Sequence, residues 1–257
     1  MRERVVLLHG FGGTRHAWDG VSERLDRERY LPLALDVPGH GDAAEEPGAL
    51  TFAGCVRGVL ESSPPTFTLG GYSLGGRVAL HVALAAPERL ERLVLVACSP
   101  GIEDPAERGA RRAADAALAE ELEQGSYEEF IERWRAQPLF AEDPPAVGEL
   151  ARADQRRNRP ERLAAVLRGL GTGEMQPLWA RLGEIELPTT VVVGERDAKF
   201  QALGERMVAL LPCAELRIVA GGHALALENP AAVARALEGR GGIPTKGRPR
   251  GPGARAA

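Results

Sequence analysis

Lysine, cysteine and long apolar runs are scarce in this chain of 257 residues. Lys199 and Lys246 are its only lysines, so arginine supplies almost all of the positive charge. The net charge of −4 excludes the strongly basic composition of many nucleic-acid-binding proteins, and we expect no nucleic-acid partner. No apolar run approaches the length of a membrane span.

The three cysteines, Cys55, Cys98 and Cys213, are odd in number and widely spaced. They match neither a disulfide framework nor a metal-binding motif, so we expect free thiols in a reducing compartment. The apolar run near the N-terminus, residues 5–8, is too short for a signal peptide. These features together predict a soluble protein of the cytoplasm.

Short apolar segments that alternate with helical patterns dominate both ends of the chain. Each segment is apolar throughout, which predicts strands of a mostly parallel sheet covered by helices on both faces, an α/β fold. The segments are residues 5–8, 31–36, 66–69, 93–98, 189–194 and 216–219.

The region from residue 102 to residue 182 has a different character. It contains no strand pattern, and it is rich in arginine and glutamate. Prolines break it into short helices, and Ser126 with Glu129 forms a capping box before one of them. A separate helical domain is one interpretation, but the sheet pattern resumes afterwards, which favours a helical lid inserted into the core. We therefore predict a core of residues 1–101 and 183–238, a lid of residues 102–182, and a disordered basic tail of residues 239–257.

A nucleophile elbow is predicted around Ser73. The spacing Gly71-x-Ser73-x-Gly75 follows a short apolar strand and precedes the apolar stripe of a helix. Glycines two residues on either side of a serine allow the sharp strand-to-helix turn, which presents the serine oxygen near free backbone N–H groups. A glycine-rich turn without catalytic function is the alternative.

A serine hydroxyl needs an imidazole to take its proton and a carboxylate to orient that imidazole. Ser73, Asp197 and His223 occur in that chain order, each just after the end of a predicted strand. Because the carboxyl ends of parallel strands meet at one edge of a sheet, we predict that they form a catalytic triad in an α/β-hydrolase fold. Glu195 is the main competitor for the acid.

The loop after the first strand, His9 to Thr14, is predicted to complete an oxyanion hole. Gly10 would let the backbone N–H of Phe11 turn toward the site, where it would act together with the N–H of Leu74. A dinucleotide-binding loop is the other interpretation, but the G-x-G-x-x-G pattern is incomplete. His40, bracketed by glycines in a tight turn, is interpreted as a structural hydrogen-bonding residue.

Several motifs outside the triad are shared with one family of α/β hydrolases. In one-letter code they are GYSLGGR at 71–77, SPG at 99–101, WRAQPLF at 134–140, LRGLGTG at 167–173, QPLW at 176–179 and GERDAKF at 194–200. With them, residues 4 to 238 resemble the 2-succinyl-6-hydroxy-2,4-cyclohexadiene-1-carboxylate synthases (MenH) of menaquinone biosynthesis.

The resemblance implies a lyase that eliminates pyruvate from 2-succinyl-5-enolpyruvyl-6-hydroxy-3-cyclohexene-1-carboxylate, with the triad serving as a base. It implies a small tri-carboxylate as the partner, and neither a metal nor an organic cofactor. Planar guanidinium groups suit carboxylates. The family's substrate residues map onto Arg77, Arg111, Arg156, Tyr72 and Trp134, with Arg112 and Arg157 as rivals of Arg111 and Arg156.

Two other functions remain open at this point. A carboxylesterase or C–C bond hydrolase would use Ser73 as a true nucleophile. A ligand-binding homologue without activity would usually lack a member of the triad, and all three are present. The arginine-rich pocket separates the lyase from the hydrolase, because a neutral ester does not require such a pocket.

Overall fold

All six predicted strands are present in the computed structural model, which describes residues 2–43 and 48–239. They are β1 (Glu3–Leu8), β2 (Tyr30–Leu35), β3 (Phe67–Tyr72), β4 (Leu90–Val96), β5 (Thr189–Gly194) and β6 (Ala214–Val219). They form one sheet in the order β2–β1–β3–β4–β5–β6, and every neighbouring pair is parallel. The chain reverses its direction of progress across the sheet between β1 and β3. Loops at such a switch point open a crevice beyond the carboxyl ends of the strands.

Strand β3 is longer than the sequence predicts, because it continues through Gly70 and Gly71 to Tyr72. Both glycines keep the parallel register with β1 and β4. A Cβ atom on Gly70 would lie 2.9 Å from side-chain carbons of Leu7 and Leu237. The glycines therefore mark a close approach inside the sheet, and their low strand propensity is overridden by packing.

Side chains of successive strand residues enter two separate cores, as the twofold periodicity of a strand requires. Val6 and Leu8 pack into the core on one face, whereas Val5 and Leu7 pack into the core on the other. The first face is covered by α2 (Phe52–Ser62), α3 (Leu74–Ala85) and α8 (Ala198–Leu210). The second is covered by α1 (Asp19–Arg24), α9 (Leu225–Glu228) and α10 (Pro230–Leu237). The predicted two-sided covering of the sheet is confirmed.

Four helices lie between β4 and β5: α4 (Pro105–Gln124), α5 (Tyr127–Arg135), α6 (Pro145–Gln155) and α7 (Pro160–Leu170). At the start of α5, the Ser126 side chain accepts a hydrogen bond from the N–H of Glu129, at 3.4 Å. Three of them, α4, α5 and α7, share a small apolar core, against which Phe11 and Trp134 pack. This helical insertion therefore contacts the loop after β1, although its action as a lid stays a prediction.

Within residues 2–43 and 48–239, no helix combines the length and the apolar character needed to cross a bilayer. The predicted tail of residues 239–257 lies outside the described residues except for Gly239.

Candidate active site

The backbone of Ser73 is held in an unfavourable conformation between β3 and α3. Its φ of 51° and ψ of −109° are rare for a residue with a side chain. The Ser73 N–H donates to Val96 O at 2.9 Å, and Ser73 O accepts from the Arg77 N–H at 3.1 Å. These bonds to the neighbouring strand and helix fix the turn and place the hydroxyl at the carboxyl end of the sheet.

The flanking glycines are required by close backbone contacts. A Cβ atom on Gly71 would lie 2.4 Å from Gly75 O, and one on Gly75 would lie 2.1 Å from Leu8 O. Both contacts are with backbone atoms, which cannot move aside like a flexible side chain. The glycine spacing of the predicted nucleophile elbow thus has a direct steric reason.

The three predicted triad residues come together. His223 Nδ1 lies 2.7 Å from Asp197 Oδ2, and His223 Nε2 lies 3.4 Å from Ser73 Oγ. Asp197 and His223 are 5% and 2% exposed, so their ion-dipole contact is shielded from water. This is the geometry in which a carboxylate holds an imidazole ready to take a proton from the serine.

Asp197, and not its competitor Glu195, is the carboxylate that contacts His223. Asp197 precedes α8, and its Oδ1 accepts a hydrogen bond from the Phe200 N–H at 3.3 Å. Glu195 is exposed. The rings of Phe200 and Phe140 lie 4.5 and 5.8 Å from the His223 ring between centroids, so aromatic side chains confine the imidazole.

The orientation of the Phe11 N–H follows from the contacts of the peptide group that it shares with Gly10. Gly10 O accepts hydrogen bonds from the Gly13 N–H at 3.1 Å and from His9 Nδ1 at 2.8 Å. In a trans peptide the N–H is directed opposite to the C=O. The Phe11 N–H is therefore directed away from Gly13 and His9, the two partners of Gly10 O. Phe11 and Leu74 both line the cavity beside Ser73, so we expect this N–H to be directed toward that cavity.

Two buried histidines support this loop, and neither contacts Ser73. Burial lowers the pKa of His9, whose Nε2 accepts a hydrogen bond from the Val37 N–H at 3.0 Å while its Nδ1 faces Gly10 O. Burial also holds the pKa of His40 well below its ordinary value, and His40 Nε2 accepts from the Gly12 N–H at 3.1 Å. His40 therefore has the structural role that the sequence suggests.

A cavity of about 510 Å³ extends from Ser73 beneath the helical insertion. The residues that line it include Ser73 and Asp197 of the triad. Phe11 and Leu74, the residues of the predicted oxyanion donors, also line it, as do the predicted aromatic residues Tyr72 and Trp134. The centroid of the Trp134 ring lies 4.9 Å from that of the Phe11 ring, so α5 packs against the loop of residues 9–14. Burial raises the pKa of Tyr72, so its phenol stays protonated.

Arg77 lines this cavity and is only 8% exposed. Its Nη1 donates to Leu170 O at 2.8 Å, and its guanidinium carbon lies 5.8 Å from the centroid of the Phe52 ring. Burial, followed by the nearby Arg111, lowers the pKa of Arg77 to about 10, which leaves it charged at neutral pH. Arg77 is thus a buried cation one helical turn from the triad serine.

Arg111 also lines the cavity, and its rival Arg112 does not. Arg111 Nε donates to Asp115 Oδ1 at 2.8 Å along α4. Arg112 is directed elsewhere, where its Nε lies 2.6 Å from Glu174 Oε1. The two side chains diverge because consecutive helical residues are rotated by about 100° about the axis.

The structure does not bring Arg156 or Arg157 into the cavity. Arg156 follows α6 and binds Glu128 on α5 through both Nε and Nη2, at 2.8 to 3.1 Å, with about half of its side chain exposed. Arg157 has an even more exposed side chain, with its Nε 3.8 Å from Asp154 Oδ1. The predicted placement of Arg156 beside Arg77 and Arg111 is therefore not what the structure has, because an acidic partner on α5 holds it outside.

Two cations that the sequence reasoning did not single out line the cavity instead, Arg196 and Lys199. Arg196 is engaged by Glu228 and by Glu142. Lys199, the only lysine in the described part of the chain, directs its Nζ to within 6.0 Å of the Phe200 ring centroid. Their positions, one residue before and two residues after Asp197, are the signal that could have identified them.

Comparison with known proteins agrees with this geometry. The model of the alpha/beta hydrolase family matches residues 5–236. The chain is 32% identical to the putative 2-succinyl-6-hydroxy-2,4-cyclohexadiene-1-carboxylate synthase of Bacillus subtilis, over 89% of this chain and 86% of that protein. It is 34% identical to the synthase of Klebsiella pneumoniae, over 91% of both chains.

Among solved structures, MenH from S. aureus superimposes with a TM-score of 0.86 at 31% identity, over 92% of both chains. Both the sequence relatives and this structure cover nearly the whole described chain, so the similarity includes the helical insertion as well as the core. The chain therefore belongs to the alpha/beta hydrolase family and, within it, to the family of 2-succinyl-6-hydroxy-2,4-cyclohexadiene-1-carboxylate synthases.

Proposed function

We propose that the protein is the lyase of menaquinone biosynthesis that eliminates pyruvate from 2-succinyl-5-enolpyruvyl-6-hydroxy-3-cyclohexene-1-carboxylate. The observation that carries this proposal is one cavity with a Ser-His-Asp triad at one end and the buried cation Arg77 near it. A triad supplies a base, and buried guanidinium groups supply binding energy for carboxylates.

The elimination starts from the acidity of one ring proton. The ring carbon that bears the succinyl group lies next to a ketone and next to the ring double bond. Ser73 Oγ, with His223 as the acceptor of its proton, removes hydrogen from that carbon. The electron pair of the broken C–H bond forms a double bond between carbons 2 and 3. The electron pair of the former 3,4 double bond moves between carbons 4 and 5, and the bond from carbon 5 to the enolpyruvyl oxygen breaks. Enolpyruvate leaves and becomes pyruvate, and the ring becomes the conjugated diene.

The oxyanion donors give this step its stabilisation. When the proton leaves, negative charge develops on the ketone oxygen, as it does in any enolate. Phe11 and Leu74 both line the cavity beside Ser73, which supports a role for their N–H groups in binding that oxygen. Loss of one such donor lowers turnover by roughly 10²–10³-fold in other enzymes, so the pair contributes several kcal/mol.

The three carboxylates of the substrate give the reason for cationic side chains. A buried guanidinium such as Arg77 carries its charge where water cannot screen it, and Asp115 fixes the orientation of Arg111. Lys199 and Arg196 add positive charge at the triad end of the same cavity. A neutral ester has no negative charge for these cations to bind, which favours the lyase over a carboxylesterase or C–C bond hydrolase.

We further propose that the enzyme acts in the cytoplasm on this small tri-carboxylate. Its three cysteines, all of them within the described residues, are unpaired. Free thiols, two of them buried, agree with a reducing compartment.

The test is an assay of the purified protein with the enolpyruvyl cyclohexene substrate. Pyruvate release and diene absorbance are followed together, with a p-nitrophenyl ester in parallel and Ser73→Ala as the control. Fast pyruvate release that requires Ser73, with little ester cleavage, is the expected result. Ester or C–C cleavage without pyruvate would retain the triad and overturn the lyase.

A further inference from the structure

The end of helix α6 holds the predicted oxyanion loop, residues 9–14, by hydrogen bonds. Asp154 Oδ2 accepts from the Thr14 N–H at 2.8 Å, and Asp154 Oδ1 accepts from the Thr14 hydroxyl. The two residues are 140 positions apart and are 7% and 1% exposed. A carboxylate that accepts two hydrogen bonds in the dry interior is a strong and directional contact.

A second residue, in the turn that follows the same helix, contacts the same loop. Asn158 Nδ2 donates to Gly12 O at 2.8 Å, and Asn158 Oδ1 accepts from the Gly41 N–H at 2.9 Å. Asn158 is 7% exposed. Gly12 has a φ of +75°. Because glycine adopts positive and negative φ about equally readily, hydrogen bonds to its peptide groups are needed to fix this conformation.

These bonds act on the segment that carries the Phe11 N–H. Gly13 lies between Gly12, held by Asn158, and Thr14, held by Asp154. The Gly13 N–H donates to Gly10 O, the carbonyl whose direction determines that of the Phe11 N–H. The helical insertion therefore fixes the oxyanion donor through three consecutive residues.

The geometry points to Asp154 and Asn158 as positioning residues that couple the helical insertion to the oxyanion hole. They touch neither Ser73 nor the 510 Å³ cavity. Their effect is to keep one donor aligned with the charge that develops in the reaction, as preorganised stabilisation requires. The consequence for catalysis rests on the proposed function, whereas the consequence for the oxyanion hole does not.

Asp154→Ala, Asp154→Asn and Thr14→Val form the test series. Asparagine is nearly isosteric, and it can accept from the Thr14 N–H while it donates to the hydroxyl, so it should restore most of the activity. Alanine leaves both Thr14 donors buried without a partner. Arg152→Ala is the matched control, because Arg152 lies on the same helix and binds the exposed side chain of Glu132.

Three readouts separate positioning from a general loss of structure. We expect Asp154→Ala to lower kcat for pyruvate release about tenfold or more, with KM changed less than twofold. Phenylboronic acid, whose adduct with Ser73 places an oxygen in the oxyanion hole, should bind correspondingly more weakly. Inhibition by succinate, a probe of the arginines, should not change. Arg152→Ala should match the unmodified protein in all three.

Unchanged kcat and unchanged boronic acid affinity in Asp154→Ala and Thr14→Val would overturn the inference. A parallel loss of succinate and boronic acid affinity would also overturn it, because that result describes a collapsed cavity. If Asp154→Ala fails to fold, Thr14→Val decides, since it removes only the hydroxyl. If the unmodified protein releases no pyruvate but Asp154→Ala still weakens boronic acid binding, the proposed function fails and the coupling stands.

Discussion

At the scale of single residues, burial determines what each polar group of the site is able to do. His223 is confined by aromatic rings and by Asp197, so one ring nitrogen faces the carboxylate and the other faces Ser73. His9 and His40 are also buried, and burial lowers the pKa of each, although Asp36 Oδ1 lies 3.9 Å from His9 Nε2. We therefore expect one of the three buried histidines, His223, to accept a proton, and the other two to be neutral supports of the loop of residues 9–14.

Replacing the base should abolish turnover without unfolding the protein. We expect Ser73→Ala and His223→Ala each to lower kcat for pyruvate release by at least about 10³-fold, as in other triads. Circular dichroism should show the same helix content in both variants. Turnover within tenfold of the unmodified protein in either variant would contradict the assignment of the triad.

Replacing Arg77 should separate the two kinds of substrate. Arg77→Met removes a buried cation but keeps an unbranched side chain, so kcat/KM for the tri-carboxylate should fall by about 10²-fold, which corresponds to about 2.7 kcal/mol. Cleavage of a p-nitrophenyl ester should change only a few-fold. Arg112→Met is the control, because Arg112 binds Glu174 outside the cavity. Equal losses on both substrates would argue against carboxylate binding by Arg77.

At the scale of elements, the helical insertion shapes the cavity through an internal ion pair. Arg135 at the end of α5 binds Asp143, and the side chains are 7% and 4% exposed. The guanidinium carbon of Arg135 lies 4.2 Å from the Phe140 ring centroid, and Phe140 in turn lies against His223. The ion pair therefore holds the aromatic wall beside the triad.

Breaking this pair should destabilise the protein more than its surface ion pairs do. Asp143→Ala leaves the buried Arg135 without its carboxylate, and such changes lower the free energy of unfolding by about 3–5 kcal/mol. Urea unfolding followed by tryptophan fluorescence measures the effect. Glu184→Gln, which removes the exposed partner of Arg181, should leave the unfolding midpoint unchanged. Equal stabilities of the two variants would refute the structural role of the Arg135–Asp143 pair.

At the scale of the whole molecule, two cores on opposite faces of one sheet enclose most of the apolar side chains. Cys55 and Cys98 lie in one of these cores, whereas Cys213 is exposed. Burial raises the pKa of Cys55 and of Cys98 to about 12. A thiol reagent therefore reports on opening of the fold, because it needs both access and a thiolate.

Thiol titration with Ellman's reagent should give one reactive group per chain in the folded protein and three in 6 M guanidinium. Cys213→Ser should abolish the fast reaction in the folded state and leave two groups after unfolding. Rapid reaction of Cys55 or Cys98 under native conditions would show that the core around α2 and α3 opens readily.

The sequence alone determined the features whose cause is local. Apolar runs of strand length predicted all six strands, and the glycine spacing around Ser73 predicted the elbow, because each pattern lies within a short stretch of sequence, although Gly75 itself packs against Leu8. The triad followed from topology, since parallel strands bring their carboxyl ends together whatever the intervening loops contain. Strand β3 continues past its predicted end because pairing with β1 and β4 outweighs the low strand propensity of glycine.

Only the tertiary structure decided which charged side chains reach the cavity. Arg111 and Arg112 are neighbours with equal propensities, and only the rotation of α4 separates them. Arg156 is held outside by Glu128, a residue on another helix, and Asp154 finds Thr14 across 140 positions. Such pairings depend on how the helices are placed in space, and that placement cannot be predicted from the periodicity of the sequence.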